Sequence, residues 1–322
     1  MRPQEVERLA ARAIREWGGA RHPLRLASAR ENAVFEAVLN DGRHVALRLH
    51  REGYQGMASI RSELTLLQLL DAQGLRCPAP VPTLSGALVA TVGGRVATAV
   101  RWLYGQQIGT AGRPLEGTPE QQEGLFRGLG RTLARFHAAT DTLSLPQDFV
   151  RPFWDEDGLL GDSPLWGRFW ENPALGADER GLLLDARQSA LDVLAGMRRD
   201  GADFGLIHAD ALRENVLLDG AGLTLIDYDD CGFGFRAHDL GVALSQNDVE
   251  PHADRLEAAL LQGYREEREL PEHAARLVPM FTMLRALASC GWIVGRADAR
   301  DERLRHYAGR AVAWARAWLG RA

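Results

Sequence analysis

The chain has 322 residues, of which 46% are hydrophobic and 25% are charged, and its formal net charge is −5. This composition is typical of a globular protein with more than one core, and the slight acidic excess does not favour a nucleic-acid partner. The sequence contains no lysine, which excludes a Walker A phosphate loop and lysine Schiff-base chemistry.

The first hundred residues alternate between short apolar runs and turn signals, a pattern typical of an antiparallel sheet. Asn40-Asp41-Gly42 lies between two apolar runs and predicts a hairpin. One amphipathic helix is predicted at residues 59–70, where apolar side chains recur at helical spacing. The other predicted elements are an opening helix at 3–16, strands at 32–39 and 43–50, and a second hairpin formed by 86–90 and 95–102.

Beyond residues 102–105 the composition changes to long amphipathic patterns, so we predict two domains, 1–103 and 104–322. The fold class is therefore predicted to be α+β, with a small antiparallel-sheet domain and a larger, mostly helical one. The helices predicted in the second domain are 119–139, 178–199 and several from residue 251 onward, including 306–319.

Two short segments of the second domain place oxygen-bearing side chains at a spacing typical of phosphoryl transfer. The first reads His208-x-Asp210-x-x-x-x-Asn215, and the second places Asp227 directly after the apolar run 223–226. An aspartate in such a loop can accept a proton or orient a hydroxyl group, whereas Mg²⁺ prefers carboxylate and amide oxygens together with phosphates. We predict Asp210, Asn215 and Asp227 as catalytic residues, with Asn215 and Asp227 as the metal ligands.

Taken alone, Asp210 is more typical of a turn or a cap and Asn215 of a turn, and Asp227 could be the solvent-facing end of a strand. Their joint spacing favours the functional interpretation, because turns and caps do not require three such residues in this order. His208 is predicted to brace the loop by hydrogen bonding instead of taking part in catalysis.

The strand Val45-Ala46-Leu47-Arg48 parallels the Val-Ala-Ile-Lys strand of kinases, with arginine in the place of lysine. Glu63, in the helix that follows, is predicted to pair with Arg48. A guanidinium group binds phosphate through two parallel hydrogen bonds, but its shape differs from that of an ammonium group. The alternative is that Arg48 is a surface residue on an exposed strand face. Residues 28–35 would cover the phosphates, although this segment contains no glycine.

These motifs resemble those of the aminoglycoside phosphotransferase/choline kinase superfamily, the small-molecule relatives of protein kinases. The resemblance is sharp between residues 206 and 240, where His238-Asp239-Leu240 also matches, and looser at Glu31-Asn32 and Trp102. It implies a bilobal protein-kinase-like fold, with a nucleotide-binding lobe at 1–103 and a lobe for catalysis and acceptor binding at 104–322. The chain departs from the family pattern at Ala209, which replaces the usual glycine, and at Arg48.

The resemblance also implies ATP and Mg²⁺ as the nucleotide and the metal, with ATP between the lobes. Asp210 would orient the acceptor hydroxyl, Asn215 and Asp227 would hold Mg²⁺, and Asp239 would steady the catalytic loop. Contacts with the nucleotide are expected from Arg48, Glu63, Val100, Trp102 and Leu103, the last three through backbone groups near the adenine.

The predicted function is that of a Mg-ATP-dependent phosphotransferase acting on a hydroxyl group of a small molecule, such as an amino alcohol or an aminoglycoside. Trp154, Trp166 and Trp170, with the acidic residues among them, would hold a cationic acceptor, or else would form core and a solvated loop. Three alternatives stay open: a stress-response Ser/Thr protein kinase, a homoserine kinase, and a nucleotide-binding regulatory module without turnover. The choice between ATP and GTP and the oligomeric state also stay open.

The location is predicted to be the cytoplasm. The sequence begins without an apolar signal segment and has no run of 18 apolar residues, so no membrane partner is expected. Cys77, Cys231 and Cys290 are odd in number and scattered, as is typical of reduced thiols and not of a disulfide framework.

Overall fold

The computed structural model describes residues 3–29, 32–199, 201–298 and 300–320. Contacts between residues divide the chain into two units, Met1–Gly105 with Leu143–Arg151, and Gln106–Thr142 with Pro152–Ala322. The predicted α+β class is confirmed, because the first unit contains an antiparallel sheet and the second is mostly helical. The division at residue 103 stays a prediction.

The first unit is a five-stranded antiparallel sheet with strand order β1-β2-β3-β5-β4 and two helices. In chain order its elements are α1 (Pro3–Ala13), β1 (Arg25–Ala29), β2 (Ala33–Val38), β3 (His44–Leu49), α2 (Met57–Ala72), β4 (Val89–Val92) and β5 (Arg95–Arg101). The sequence did not predict β1, because its residues are small, polar and mostly exposed and so lack an apolar alternation.

The two faces of β3 have different neighbours because side chains alternate along a strand. Val45, Leu47 and Leu49 are buried in a core that also contains Trp17, beyond the end of α1. Arg48 points to the opposite face, where α2 lies, and its side chain is 14% exposed. The alternation of side chains along β3 therefore already indicated which face of the strand is buried in the core.

Residues 143–151 return to the first unit although they follow a long helix of the second. The backbone N–H of Val150 donates to Ser62 Oγ at 2.9 Å, and Arg151 donates to the backbone oxygen of Ser59 at 3.2 Å. Both partners lie on α2. A single division along the sequence could not have placed this segment.

The second unit combines eight named helices with two small three-stranded sheets, ordered β10-β9-β6 and β7-β11-β8. Its strands are β6 (Gln106–Gln107), β7 (Phe153–Trp154), β8 (Phe204–Ile207), β9 (Val216–Asp219), β10 (Gly222–Leu225) and β11 (Gly232–Phe235). Its helices are α3 (Pro119–Asp141), α4 (Glu156–Leu160), α5 (Ala177–Arg199), α6 (Arg236–Leu244), α7 (Ala253–Arg265), α8 (Glu272–Ala275), α9 (Val278–Trp292) and α10 (Glu302–Leu319).

Helix α3 begins at a capping box and packs closely on α7. Thr118 Oγ1 accepts from the backbone N–H of Gln121, whose side-chain oxygen accepts from the backbone of Thr118. A Cβ atom at Gly263 of α7 would lie 1.9 Å from the backbone oxygen of Arg127, so only glycine permits this approach of the two helices. The close contact determines where the end of α3, including His137, lies against α7.

Three further sequence predictions concern the cysteines, membrane-spanning helices and the segment that would cover the phosphates. Cys77, Cys231 and Cys290 are buried, and in the described part of the chain they form no disulfide. Among the described residues, no helix has both the length and the apolar character needed to cross a membrane. Of the predicted phosphate-covering segment 28–35, Arg30 and Glu31 lie outside the described residues, and Ala29 pairs with Ala33 on either side of them.

Candidate active site

The hairpin of β9 and β10 brings the two predicted metal ligands together. Val216 pairs with Leu225 at its open end, and one step further the backbone N–H of Ile226 donates to the backbone oxygen of Asn215 at 2.9 Å. Asn215 immediately precedes β9, and Asp227 follows Ile226. Two residues that are twelve positions apart in sequence therefore lie at the same end of one hairpin.

Asp210 is bound directly to Asn215. The amide nitrogen of Asn215 donates to Asp210 Oδ2 at 2.6 Å and to the Asp210 backbone oxygen at 2.9 Å. With the amide hydrogens directed to Asp210, the remaining polar atom of the Asn215 side chain is its oxygen, which is the atom that a hard cation binds. Asp210, Asn215 and Asp227 thus converge within the second unit.

Negative charge is concentrated around Asp210. Burial raises the pKa of the Asp210 carboxyl, an effect that the Arg285 guanidinium opposes. Burial and then the charges of Asp210 and Asp229 raise the pKa of Asp230 well above its ordinary value. In the described part of the chain, no group of three or more His, Cys, Asp or Glu residues is arranged as a metal site. The amide oxygen of Asn215 and the carboxylate of Asp227 are the ligand types that Mg²⁺ prefers, and such an ion would reduce the repulsion among these carboxylates. Their role as metal ligands stays a prediction.

Asp239 of α6 holds the backbone of the loop that carries Asp210. Its Oδ2 accepts from the backbone N–H of His208 at 2.8 Å, and its Oδ1 accepts from that of Ala209 at 2.7 Å. Burial alone would raise the pKa of Asp239, but the hydrogen bond from His137 and the backbone N–H of His208 are among the contacts that lower it below its ordinary value. Asp239 is therefore an ionised structural carboxylate, as the resemblance implied.

His137 of α3 and Tyr264 of α7 extend this arrangement into the helical core. His137 Nε2 donates to Asp239 Oδ2 at 2.9 Å, and the Tyr264 hydroxyl donates to His137 Nδ1 at 2.8 Å. Burial lowers the pKa of His137 and raises that of Tyr264, so both side chains are neutral near pH 7. The position of the catalytic loop thus depends on the packing of α3 on α7.

His208 joins the Asp210 loop to the Asp227 loop. Its Nε2 donates to the backbone oxygen of Ile226 at 3.1 Å, while its Nδ1 accepts from the backbone N–H of Asp210 at 3.3 Å. Burial lowers the pKa of His208 to about 4, which keeps the ring neutral. The predicted bracing contacts of His208 are present in the structure.

Two non-glycine residues of these loops have left-handed backbone conformations, Ala209 with φ 63° and Asp227 with φ 64°. Such angles are uncommon outside glycine and are maintained by surrounding contacts. At position 209 the contact with Asp239 supplies that support, which explains how alanine occupies a position where the resembling family has glycine.

Arg285 of α9 is a site residue that the sequence analysis missed. It donates to Asp210 Oδ1 at 2.5 Å and to the backbone oxygen of Ala209 at 3.3 Å, and its guanidinium lies 4.2 Å from the ring centre of Trp166. The sequence offered one signal, because Arg285 is the single charged residue in the mostly apolar segment 278–292. Nothing in local spacing connected it to Asp210.

The predicted cation-binding tryptophans contact arginines of the same chain. The Trp166 ring faces Arg285, and the Trp170 ring faces Arg187 at 4.9 Å. Trp154 is 2% exposed and donates to the backbone oxygen of Asp230. Asp155, one of the acidic residues among them, caps α4 by accepting from Gly158. Trp154 therefore belongs to the core, whereas Trp166 and Trp170 are partly buried and lie against arginines. A role of these tryptophans in binding a cationic acceptor stays a prediction.

In the first unit, Arg48 and Glu63 form the contact that the sequence predicted. Arg48 donates to Glu63 Oε1 at 2.9 Å, and the two side chains are 14% and 4% exposed. The alternative of an exposed surface arginine is therefore wrong. A role of this pair in phosphate binding stays a prediction.

The backbone segment predicted to contact adenine comprises the end of β5 and the residues that follow it. Val100 pairs with Ala46, and the backbone N–H of Trp102 donates to the backbone oxygen of His44 at 3.0 Å. The Trp102 ring stacks on the His44 ring with 5.2 Å between centres. Leu103 follows as a partly buried residue. The adenine contacts of Val100, Trp102 and Leu103 stay a prediction.

Comparison with known proteins identifies related sequences. The family model described as "Phosphotransferase enzyme family" matches residues 23–276, which is more than half of the chain. A homoserine kinase of Rhizobium johnstonii is 31% identical over 230 residues, which cover 70% of this chain and 65% of that kinase. The amicoumacin kinase of Bacillus subtilis is 23% identical over 300 residues, which cover 88% and 84% of the two chains. The match to the Rhizobium johnstonii homoserine kinase therefore spans slightly less than two thirds of the length of that kinase.

Two solved structures resemble the chain over nearly its whole length. A microcompartment-associated aminopropanol kinase has a TM-score of 0.83 and 29% identity, with 98% of both chains covered. An amicoumacin kinase, solved with AMP-PNP, Ca²⁺ and Ami, has a TM-score of 0.76 and 19% identity, with 97% of this chain and 94% of that one covered. At 19% identity the second comparison supports the fold alone.

Proposed function

The chain belongs to the phosphotransferase enzyme family, and from this premise we propose that it transfers the γ-phosphate of ATP to a hydroxyl group of a small molecule. The observation that supports this most directly is the convergence of Asp210, Asn215 and Asp227, with Asn215 bound to Asp210 and placed at the same hairpin end as Asp227. Phosphoryl transfer requires this combination of a hydroxyl-orienting carboxylate and metal ligands.

In this proposal Asp210 binds the acceptor hydroxyl and accepts its proton as the oxygen attacks the γ-phosphorus. The bond between the γ-phosphorus and the β,γ-bridging oxygen breaks, and ADP leaves. Asn215, through its side-chain oxygen, and Asp227 hold Mg²⁺. When bound, Mg²⁺ supplies positive charge to the phosphate oxygens. Asn215 has a second task, because its amide hydrogens restrain the Asp210 carboxylate.

Residues of the first unit are proposed to bind the nucleotide. Arg48 would contact the phosphates, and Glu63 would fix the orientation of the Arg48 guanidinium through their 2.9 Å contact. Backbone groups of Val100, Trp102 and Leu103 would bind the adenine. Arginine suits this task because its fork matches two phosphate oxygens at once.

We propose an amino alcohol as the acceptor class. Aminopropanol and homoserine, the compounds for which two of the similar kinases are named, both carry an amino group and a hydroxyl group. The charges of Asp210, Asp229 and Asp227 add to the effect of burial in raising the pKa of Asp230, and this negative potential favours a cationic acceptor over an anionic one. The three buried thiols fit a reducing compartment, and we propose the cytoplasm as the location.

The test is a transfer assay with a panel of acceptors. The purified chain is incubated with Mg-ATP or Mg-GTP and with aminopropanol, homoserine, other amino alcohols, aminoglycosides or a generic protein, and ADP or GDP release is measured. Phosphorylated products are identified by mass spectrometry. We expect phosphorylation of an amino alcohol and a loss of roughly 10²–10⁴-fold in turnover for Asp210→Asn.

The matched control is Asp185→Asn, which changes an exposed aspartate of α5 in the same unit. It should leave turnover unchanged. Phosphorylated protein with unmodified small molecules would replace the proposal by the protein kinase alternative. Nucleotide binding without transfer to any acceptor would favour the regulatory module.

A further inference from the structure

Arg285 joins α9 to the loop that carries Asp210. One nitrogen of its guanidinium donates to Asp210 Oδ1 at 2.5 Å, and another donates to the backbone oxygen of Ala209 at 3.3 Å. The Arg285 and Asp210 side chains are only 6% and 15% exposed. One planar group therefore restrains both the carboxylate and the backbone of the residue before it.

The carboxylate of Asp210 is held on both sides. Arg285 occupies Oδ1, and the Asn215 amide occupies Oδ2 at 2.6 Å. Two donors on different oxygens fix the rotation of the carboxylate plane, which one donor alone would leave free. Asn215 belongs to the same loop, whereas Arg285 comes from a helix that begins 68 residues after Asp210, at Val278.

Arg285 itself is rigidly supported. Its guanidinium lies 4.2 Å from the Trp166 ring centre, an arrangement that favours a flat cation. A Cβ atom at Gly291 of α9 would lie 2.3 Å from the backbone oxygen of Gly167, the residue after Trp166. Another at Gly241 of α6 would lie 2.5 Å from the backbone carbon of Phe281 in α9. The backbone contacts keep the arginine and its aromatic partner in fixed positions.

We propose that Arg285 is a positioning residue for the phosphotransfer reaction, holding the Asp210 carboxylate and the Ala209 backbone where the acceptor hydroxyl must bind. This inference rests on the proposed function. Arg285 acts through Asp210 and makes no contact with the reacting atoms. Its removal should slow the chemical step and leave nucleotide binding unchanged.

The same unit contains a matched arginine that serves as a control. Arg187 of α5 also lies over a tryptophan ring, Trp170, and also donates to an aspartate, Asp162, and to a backbone oxygen, that of Leu160. Its aspartate is 96% exposed and is neither the proposed hydroxyl-binding residue nor a proposed metal ligand. Arg187→Ala removes the same kinds of contact as Arg285→Ala, those with a tryptophan ring, an aspartate and a backbone oxygen. It does so without removing a contact to Asp210.

The first experiment measures kcat and KM for Mg-ATP and acceptor in Arg285→Ala, Arg285→Lys and Arg187→Ala. We expect Arg285→Ala to lower kcat about 100-fold, the loss typical of a misplaced reacting group, with KM for ATP changed less than about twofold. Lysine keeps the charge but not the planar fork, so Arg285→Lys should lose about tenfold. Arg187→Ala should keep the wild-type kcat. Circular dichroism and thermal midpoints establish that each variant is folded.

Chemical rescue separates positioning from a general effect on folding. Methylguanidinium should enter the space left in Arg285→Ala and restore kcat at least about tenfold, since it reproduces the charged fork. It should not stimulate the wild type or Arg187→Ala. A folded Arg285→Ala with wild-type kcat, or a loss of kcat equal to that of Arg187→Ala, would overturn the inference. If Arg285→Ala does not fold, a wild-type kcat in Arg285→Lys has the same consequence.

A binding measurement keeps this inference distinct from the proposed function. Isothermal calorimetry compares methylguanidinium binding to Arg285→Ala and to Arg285→Ala/Asp210→Asn, and we expect binding at least about tenfold weaker in the double variant. If the wild type transfers phosphate to no acceptor but this difference is found, the proposed function fails and the contact between Arg285 and Asp210 stands. Equal binding to both variants rejects the contact regardless of activity.

Discussion

Each unit of the molecule contains a shielded arginine bound to a carboxylate, and the two pairs have different surroundings. Arg48 and Glu63 connect a strand to a helix in the first unit, with side chains 14% and 4% exposed. Arg285 and Asp210 in the second unit are 6% and 15% exposed and belong to a chain of contacts through two loops. The pairs are similarly shielded from water but differ in how many backbone groups depend on them.

The contacts of the second unit are linked in series. Asp239 holds the loop backbone and connects it to His137 and Tyr264 in the helical core. The loss of one member leaves buried donors without acceptors, which costs more than the contact itself contributes. We therefore expect changes around Asp210 to affect both stability and activity, whereas a charge-conserving change at Arg48 should have a local effect.

Asp239→Asn should have the largest effect on stability of the variants that compare the two units. The carboxylate accepts three hydrogen bonds, from two backbone N–H groups and His137, and an amide cannot accept all of them. We expect a loss of about 3–5 kcal/mol in the free energy of unfolding and reduced turnover. Urea denaturation measures the first effect. The exposed control Asp185→Asn should change stability by less than about 0.5 kcal/mol, and equal stability of the two variants would contradict the assigned role of Asp239.

Acid should destabilise the second unit through its buried histidines. Burial lowers the pKa of His208 and of His238 to about 4, from an ordinary value of 6.5. Between these two values the unfolded chain binds more protons, so the stabilising contribution is complete above pH 6.5 and is lost as the pH falls towards 4. At about 1.4 kcal/mol per pKa unit, each histidine contributes about 3 kcal/mol.

Urea denaturation between pH 7 and pH 4 measures this loss, and hydrogen exchange shows where it occurs. His238→Phe is the matched control, because the ring stacks on Trp154 and its two nitrogens contact no partner among the described residues. This variant should lose the part of the pH dependence that His238 contributes. An equal pH dependence in the wild type and in His238→Phe would contradict the neutral, buried state of the His238 ring.

Asp227→Asn tests the metal ligands of the second unit without removing a structural contact to Asp239. A neutral amide attracts the metal ion less strongly than a carboxylate, so Mg²⁺-dependent ATP binding and turnover should fall at least about 100-fold. This loss is larger than the usual effect of replacing a residue that only supports a metal ligand. Calorimetric titration with ATP, with and without Mg²⁺, checks the binding. Unchanged affinity and turnover would remove Asp227 from the site.

Arg48→Lys should have the smallest effect and completes the comparison. Lysine is the residue of the resembling family at this position, and it keeps the charge opposite Glu63. We expect KM for ATP to stay within about tenfold of the wild type, or to improve. A collapse of activity would show that the guanidinium makes contacts that an ammonium group cannot replace.

Much of the site followed from local sequence. Asp210, Asn215 and Asp227 were predicted from spacing alone, because Asp210 and Asn215 share one short loop and the β9–β10 hairpin places Asp227 at the same end as Asn215. The contact between Arg48 and Glu63 also followed, since the strand and helix that carry them are consecutive. The strand β1 and the return of residues 143–151 to the first unit were not predicted, because neither segment has an apolar periodicity that indicates its place.

The sequence by itself determined the fold class, the family and the loop that carries the oxygen ligands, since these depend on apolar periodicity and on residues close together in the chain. Only the tertiary structure decided that Arg285, from a distant apolar helix, binds Asp210, and that Trp166 supports an arginine of the same chain. Such contacts depend on how helices pack against one another, and close packing is a property of the folded whole that short-range spacing does not record.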